Sequence, residues 1–167
     1  LIGDFAEDAS QGAIAAGADT VYLVKTGLPG PPTVDVQVAA FEQVCRRLSP
    51  GVVLMGKTIS GRDVAPRLAC RLDTGLAQDC VEVNSDPTTG RLIATRPVFG
   101  GDALAVVTFA ETDPQIAVLR PGAYEALPRD SSRSGEIVPL EVEVETSAIK
   151  VRQVDIVQEE STTIRLE

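Results

Sequence analysis

Up to about Asp79, short apolar runs alternate with segments whose apolar residues recur at helical spacing. Phe5, Ala9, Ala13 and Ala16 predict a first helix, and Gly17 suits its C-terminus. Val21-Tyr22-Leu23-Val24 then reads as a buried strand. Thr33 is expected to cap a second helix with the stripe Val34, Val38, Phe41, Cys45 and Leu48. Asp35 in its first turn and Arg46 and Arg47 in its last match the helix dipole, and Pro50 ends it. Val52-Val53-Leu54-Met55 predicts a second buried strand. Asp63 is expected to start a third helix, with Pro66 in its first turn and Val64, Leu68 and Leu72 on one face. Strands that are apolar throughout, alternating with helices, imply a parallel sheet covered on both faces.

Beyond Asp79 the pattern turns to strands, predicted over residues 80–84, 91–97, 103–110, 115–120, 136–145 and 151–158. Pro87-Thr88-Thr89-Gly90 makes a hairpin turn between the first two, and Pro29-Gly30-Pro31-Pro32 is a turn-rich connection in the first half. Leu140, Val142 and Val144 alternate with Glu141, Glu143 and Glu145, so one side of that strand is apolar and the other acidic. The fold class expected is α/β. It comprises a parallel-sheet three-layer core and an additional strand-rich, partly antiparallel C-terminal part, in one domain over residues 1–167.

Composition narrows the function. At 167 residues, 44% hydrophobic and 23% charged, the chain supports one sizeable globular core. A net charge of −9 gives a phosphate backbone no general attraction, and 4% aromatic residues supply no stacking platform, so nucleic acid is not the expected partner. With no histidine, a His-containing triad and a His-ligated zinc site are excluded. Cys45, Cys70 and Cys80 form no C-x-x-C pair and read as thiols in a reducing compartment. No apolar run approaches the roughly 20 residues that span a bilayer. The chain opens as if at the end of a strand and closes without a terminating element, so a piece of a longer protein, truncated at both ends, is expected.

Three constellations carry candidate chemistry. Gly56-Lys57-Thr58-Ile59-Ser60-Gly61-Arg62-Asp63 joins a strand to a helix, where free backbone N–H groups favour an anion or nucleotide. It lacks both the phosphate-loop and the dinucleotide glycine spacing, and a plain tight turn explains it as well. Arg96, Phe99 and Gly100, within Arg96-Pro97-Val98-Phe99-Gly100-Gly101-Asp102, would let a planar ligand approach the backbone beside a guanidinium. The simpler reading is a strand-to-strand bend with Phe99 in the core. Glu141, Glu143 and Glu145 are either a solvated edge face or a partner-docking surface. Arg120-Pro121-Gly122-Ala123-Tyr124 reads as a polar turn.

Four segments resemble the alpha subunit of electron transfer flavoproteins, in that family's order. They are Gly17-Ala18-Asp19-Thr20-Val21-Tyr22; Gly61-Arg62-Asp63-Val64-Ala65-Pro66-Arg67-Leu68-Ala69 with Thr74-Gly75-Leu76-Ala77-Gln78-Asp79; Thr95-Arg96-Pro97-Val98-Phe99-Gly100-Gly101-Asp102-Ala103; and Val118-Leu119-Arg120-Pro121-Gly122-Ala123. The resemblance covers nearly the whole chain and is to the subunit's N-terminal domain, whose core is adenine nucleotide alpha hydrolase-like. The family has a further strand and helix before the position of Leu1 and a G-G-R-G-containing FAD domain after that of Glu167.

The resemblance implies an electron carrier rather than an enzyme. In that family a heterodimer with a beta subunit takes electrons from acyl-CoA and related flavin dehydrogenases and passes them to a membrane quinone reductase; some members bifurcate electrons from NADH. FAD sits mainly in the alpha subunit's C-terminal domain, and the beta subunit holds AMP or a second FAD. This domain would be scaffold and docking surface, and in bifurcating members Arg96 is expected to approach the second flavin. The location implied is the bacterial cytoplasm, or the mitochondrial matrix in a eukaryote. The rival readings are a stand-alone adenine-nucleotide-binding domain of universal-stress type, binding through residues 56–63, and a flavodoxin-like FMN carrier, for which no flavin-sandwiching aromatic pair is present.

Overall fold

A computed structural model describes residues 1–3, 7–28, 32–109 and 111–145, with 147, 149–151, 154, 155 and 157. Phe5, most of the Pro29-Gly30-Pro31-Pro32 connection and residues 152, 153, 156 and 158 of the last expected strand lie outside them. In chain order the elements are α1 (Glu7–Ala15), β1 (Thr20–Lys25), α2 (Val34–Leu48), β2 (Val52–Gly56), α3 (Ile59–Arg71), β3 (Leu76–Cys80), β4 (Glu82–Ser85), β5 (Leu92–Val98), β6 (Ala103–Thr108), β7 (Gln115–Leu119) and β8 (Glu136–Glu141). A 3-10 turn, Phe99–Gly101, joins β5 to β6.

The expected class is found, a mixed α/β fold with both parallel and antiparallel sheet. β1 pairs in parallel with β8, and β7 lies between β2 and β3 with all pairings parallel. β4, β5 and β6 form an antiparallel sheet. β7 is the centre of the core: Gln115, Ile116, Ala117 and Val118 are all buried, because α3 covers one face of the strand and the antiparallel sheet the other. The Gln115 amide is satisfied there, accepting from the Leu92 backbone N–H at 2.6 Å and donating to the Gly51 carbonyl at 3.4 Å. Ala65, Leu68 and Ala69 of α3 pack with Cys45 of α2 against Ile116 and Val118. A second cluster joins Ala77, Cys80, Leu92, Ala94 and Ala117, and so seats the antiparallel sheet on the parallel one.

Several sequence expectations shift. The buried residues of α1 are Ser10 and Ile14, while Ala9 and Ala16 are exposed, so the apolar stripe is rotated from the one expected. In α2 the buried set is Val36, Val38, Ala39, Ala40 and Cys45, and Leu48 at the helix end is exposed. Thr33 does precede α2, but its side chain makes no capping bond. β2 is not covered on both faces, because Val52 and Leu54 are exposed.

Helix α3 begins at Ile59, one turn before Asp63, because Thr58 caps it: its Oγ1 accepts from the Gly61 N–H at 3.0 Å. Pro66 is therefore interior rather than in the first turn. A proline there cannot bond the Arg62 carbonyl. The Gln78 side chain reaches the same carbonyl at 3.5 Å and takes the missing donor's place.

The strand expected over 80–84 is divided between two strands in different sheets, Cys80 ending β3 and Glu82 opening β4, with the break at Val81. The strand expected to 145 ends at Glu141 because its partner β1 ends at Lys25; Val142 then donates to the Lys25 carbonyl and is buried. The strand expected over 103–110 ends at Thr108, and Ala110 lies outside the described residues. Val151 and Val154 are exposed and belong to no strand. The Pro87–Gly90 hairpin turn is as expected, with Asp86 Oδ1 accepting from the N–H groups of Thr88 (2.7 Å) and Thr89 (3.1 Å).

Candidate functional site

The parallel strands β2, β7 and β3 end on one side, where open α/β sheets bind ligands. Each of them delivers a charge there. Lys57 follows β2, and its backbone N–H bonds the Leu119 carbonyl at 2.8 Å, which fixes its place beside β7. Arg120 follows β7, and its N–H bonds the Cys80 carbonyl at 2.8 Å. Asp79 lies near the end of β3, in a register break: Gln78 pairs with Val118 and Cys80 with Leu119, so Asp79 is the extra residue of a bulge.

That bulge turns the Asp79 carboxylate across the strand ends. Arg120 grips it with both arms, Nε at 3.0 Å from Oδ1 and Nη2 at 2.8 Å from Oδ2. Lys57 Nζ lies 2.9 Å from Oδ1. The Arg120 hydrogen bonds first, and then Lys57, hold the Asp79 carboxyl far below the usual carboxylate range, against the opposing pull of desolvation. The same contact raises Arg120.

The loop that sequence reading put forward for an anion, residues 56–63, is shorter than expected. Its helix donor at Gly61 is already taken by Thr58. Gly61 itself is a packing glycine, since a methyl group there would overlap the Gly56 carbonyl oxygen. Arg62 pairs with Asp63 at 3.6 Å, in the open. The charged set at the strand ends was not singled out in advance. The signal in the sequence was a charge directly closing each apolar run: Met55-Gly56-Lys57, Gln78-Asp79 and Leu119-Arg120.

The β5–β6 hairpin carries Arg96, Phe99 and Gly100, but does not gather them. Phe99 is 83% exposed, not in the core, at the hairpin tip. Phe99, Gly100 and Gly101 have φ of 52°, 72° and 108°, three left-handed residues in succession. Glycine adopts this at no cost, whereas Phe99 is strained. Arg96 is half-buried and lines a cleft of about 190 Å³ with Gly75, Leu76, Ala77, Val107 and Phe109. Its Nε is buried without a hydrogen-bond partner among the described residues. The aromatic that shares this cleft with Arg96 is thus Phe109.

Glu141, Glu143 and Glu145 are all exposed. Their backbone is held by α2, with Arg47 donating to the Glu141 carbonyl at 2.5 Å and Gln43 to that of Glu143 at 2.6 Å. Tyr124 closes the free edge of β4, accepting from the Val83 N–H at 2.7 Å and donating to its carbonyl at 3.1 Å. Among the described residues no cluster of acidic or cysteine side chains could hold a metal ion, and no helix is long and apolar enough to cross a membrane. Cys45 and Cys80 are buried thiols, and Cys70 is exposed.

The sequence matches the family model for the electron transfer flavoprotein domain over residues 1–145. It is 35% identical over 167 residues to the electron transfer flavoprotein subunit alpha of Thermoanaerobacterium thermosaccharolyticum, covering 100% of this chain and 50% of the relative. Against the subunit alpha of Bacillus subtilis it is 36% identical over 143 residues, 85% of this chain and 43% of the relative. Against the protein FixB of Clostridium saccharobutylicum it is 32% identical over 142 residues, 85% of this chain and 42% of the relative. The chain thus spans about half the length or less of these curated relatives.

Proposed function

The chain belongs to the electron transfer flavoprotein family, and from that premise we propose that it is the N-terminal domain of an alpha subunit, acting as scaffold and docking surface of an electron carrier. The intact protein would pair with a beta subunit, carry FAD mostly outside residues 1–167, and meet AMP or a second FAD held by that partner. It would take electrons from acyl-CoA or related flavin dehydrogenases and deliver them to a quinone reductase, in the bacterial cytoplasm. In this reading Phe99 and Gly100, at the hairpin tip, would face the partner's nucleotide, and Arg96 would approach it only through the separate cleft it lines.

The observation that carries the docking reading is the β5–β6 hairpin. Phe99, Leu104 and Val106 are 83%, 63% and 67% exposed. Leu104 and Val106 point the same way from β6, and the aromatic stands at the tip beside them. Such a group of apolar side chains left in water, with an aromatic anchor, suits a protein interface. Phe99→Asp in the full-length subunit is therefore expected to weaken association with the beta subunit at least tenfold in analytical ultracentrifugation. Unchanged association would refute the assignment.

A further inference from the structure

Lys57 and Arg120 converge on one carboxylate in the crevice beyond β2, β7 and β3. We propose that Asp79 is a built-in anion: its carboxylate occupies the place that a phosphate group would take between Lys57 and Arg120, and so closes this crevice to phosphate ligands. Ligands of open parallel sheets gather at the carboxyl ends of the strands, and this is that position. An ammonium and a guanidinium fork are the groups that bind phosphate elsewhere, and the fork fits a carboxylate in the same bidentate way.

The delivery of the carboxylate is specific. A regular β3 would keep residue 79 in the ladder with β7, whereas the bulge takes it out and re-aims its side chain. The left-handed φ of 65° is a conformation that aspartate tolerates better than most residues. The cluster is also accessible, with the Lys57 side chain 33% exposed and that of Arg120 45% exposed. A dissolved anion could therefore reach both cations if the carboxylate were not there. Another donor of the loop, the Gly61 N–H, is taken by Thr58.

Neutralising Asp79 leaves two cations facing one vacated point, and that uncompensated charge draws an anion. Asp79→Gly empties that point and suits the left-handed φ, whereas Asp79→Asn removes the charge but keeps a side chain of the same size in place. Isothermal titration of the full chain with inorganic phosphate at pH 7 and low ionic strength tests the proposal. The parent is expected to show no saturable uptake. Asp79→Gly is expected to bind one phosphate at least tenfold more tightly than the parent, Asp79→Asn to bind it less tightly than Asp79→Gly, and adding Lys57→Met to Asp79→Gly is expected to remove the gain. Folded variants, checked by far-UV circular dichroism, that bind no better than the parent would overturn it. So would a parent that binds phosphate as tightly as the variants, or a gain that survives Lys57→Met. Failure of both variants to fold would make the carboxylate a structural requirement and overturn it equally.

Discussion

Arg120→Gln removes the two-armed grip on Asp79 while leaving Lys57 in contact at 2.9 Å. A hydrogen bond to a charged group contributes about 1.5–3 kcal/mol. Arg120 is 45% exposed, so solvent screening takes the estimate towards or below the lower end, and Lys57 still compensates the carboxylate. The expected loss is about 1–1.5 kcal/mol at pH 7. Its pH dependence has a definite sign. The folded-state pKa of Asp79 is depressed, so its contribution is complete above the unfolded value, about 3.9, and is lost as pH falls below it towards the folded value. The variant has the smaller depression and so less to lose. Both proteins share the unfolded value, so the gap between parent and variant should be constant from pH 7 to pH 5 and close only where pH falls below the variant's own folded-state value. Glu42 is also depressed, opposed by its own desolvation but held down by Arg71 and Arg46, yet it acts alike in both proteins and cancels in the difference. Urea unfolding followed by far-UV circular dichroism at pH 7, 5 and 3 measures this. A gap below about 0.3 kcal/mol at pH 7, or one already closed at pH 5, would refute the assigned role of the pair.

Two further predictions concern single positions. Gly61→Ala places a methyl group on the Gly56 carbonyl oxygen and should cost about 1–3 kcal/mol or more in the same unfolding assay, whereas the swap is favourable for an ordinary helix glycine. Arg96→Ala in the complete heterodimer, where the partner holds a flavin, should lower that flavin's reduction potential by the equivalent of about 1.5–3 kcal/mol and leave the alpha-subunit FAD almost unchanged; spectroelectrochemical titration reads both, and equal shifts would contradict a local role.

Contacts close in sequence were legible from the chain. Gly17 takes a φ of 121° just after α1, as its place after the apolar stripe implied. Asp86 organises the following turn through neighbours two and three residues away. Cys45, Val64 and Leu68 lie in the core because helical periodicity puts them on the inward face. The family motifs were legible for the same reason, being runs of adjacent residues.

Tertiary structure decided whatever depends on residues far apart. Asp79 and Arg120 are 41 residues apart, and no local pattern states that a bulge in β3 will aim one at the other. The start of α3 is the exception, a local contact: Thr58 caps it through the Gly61 N–H three residues on, although Asp63 offers an equally plausible cap by residue type. Arg96 and Phe99 are three residues apart in sequence yet face different surroundings, an inter-sheet cleft and open solvent. Periodicity assigns a residue to one side of its own element. What lies on that side is set by which strands pair and in what register, and that choice is made by the whole chain at once.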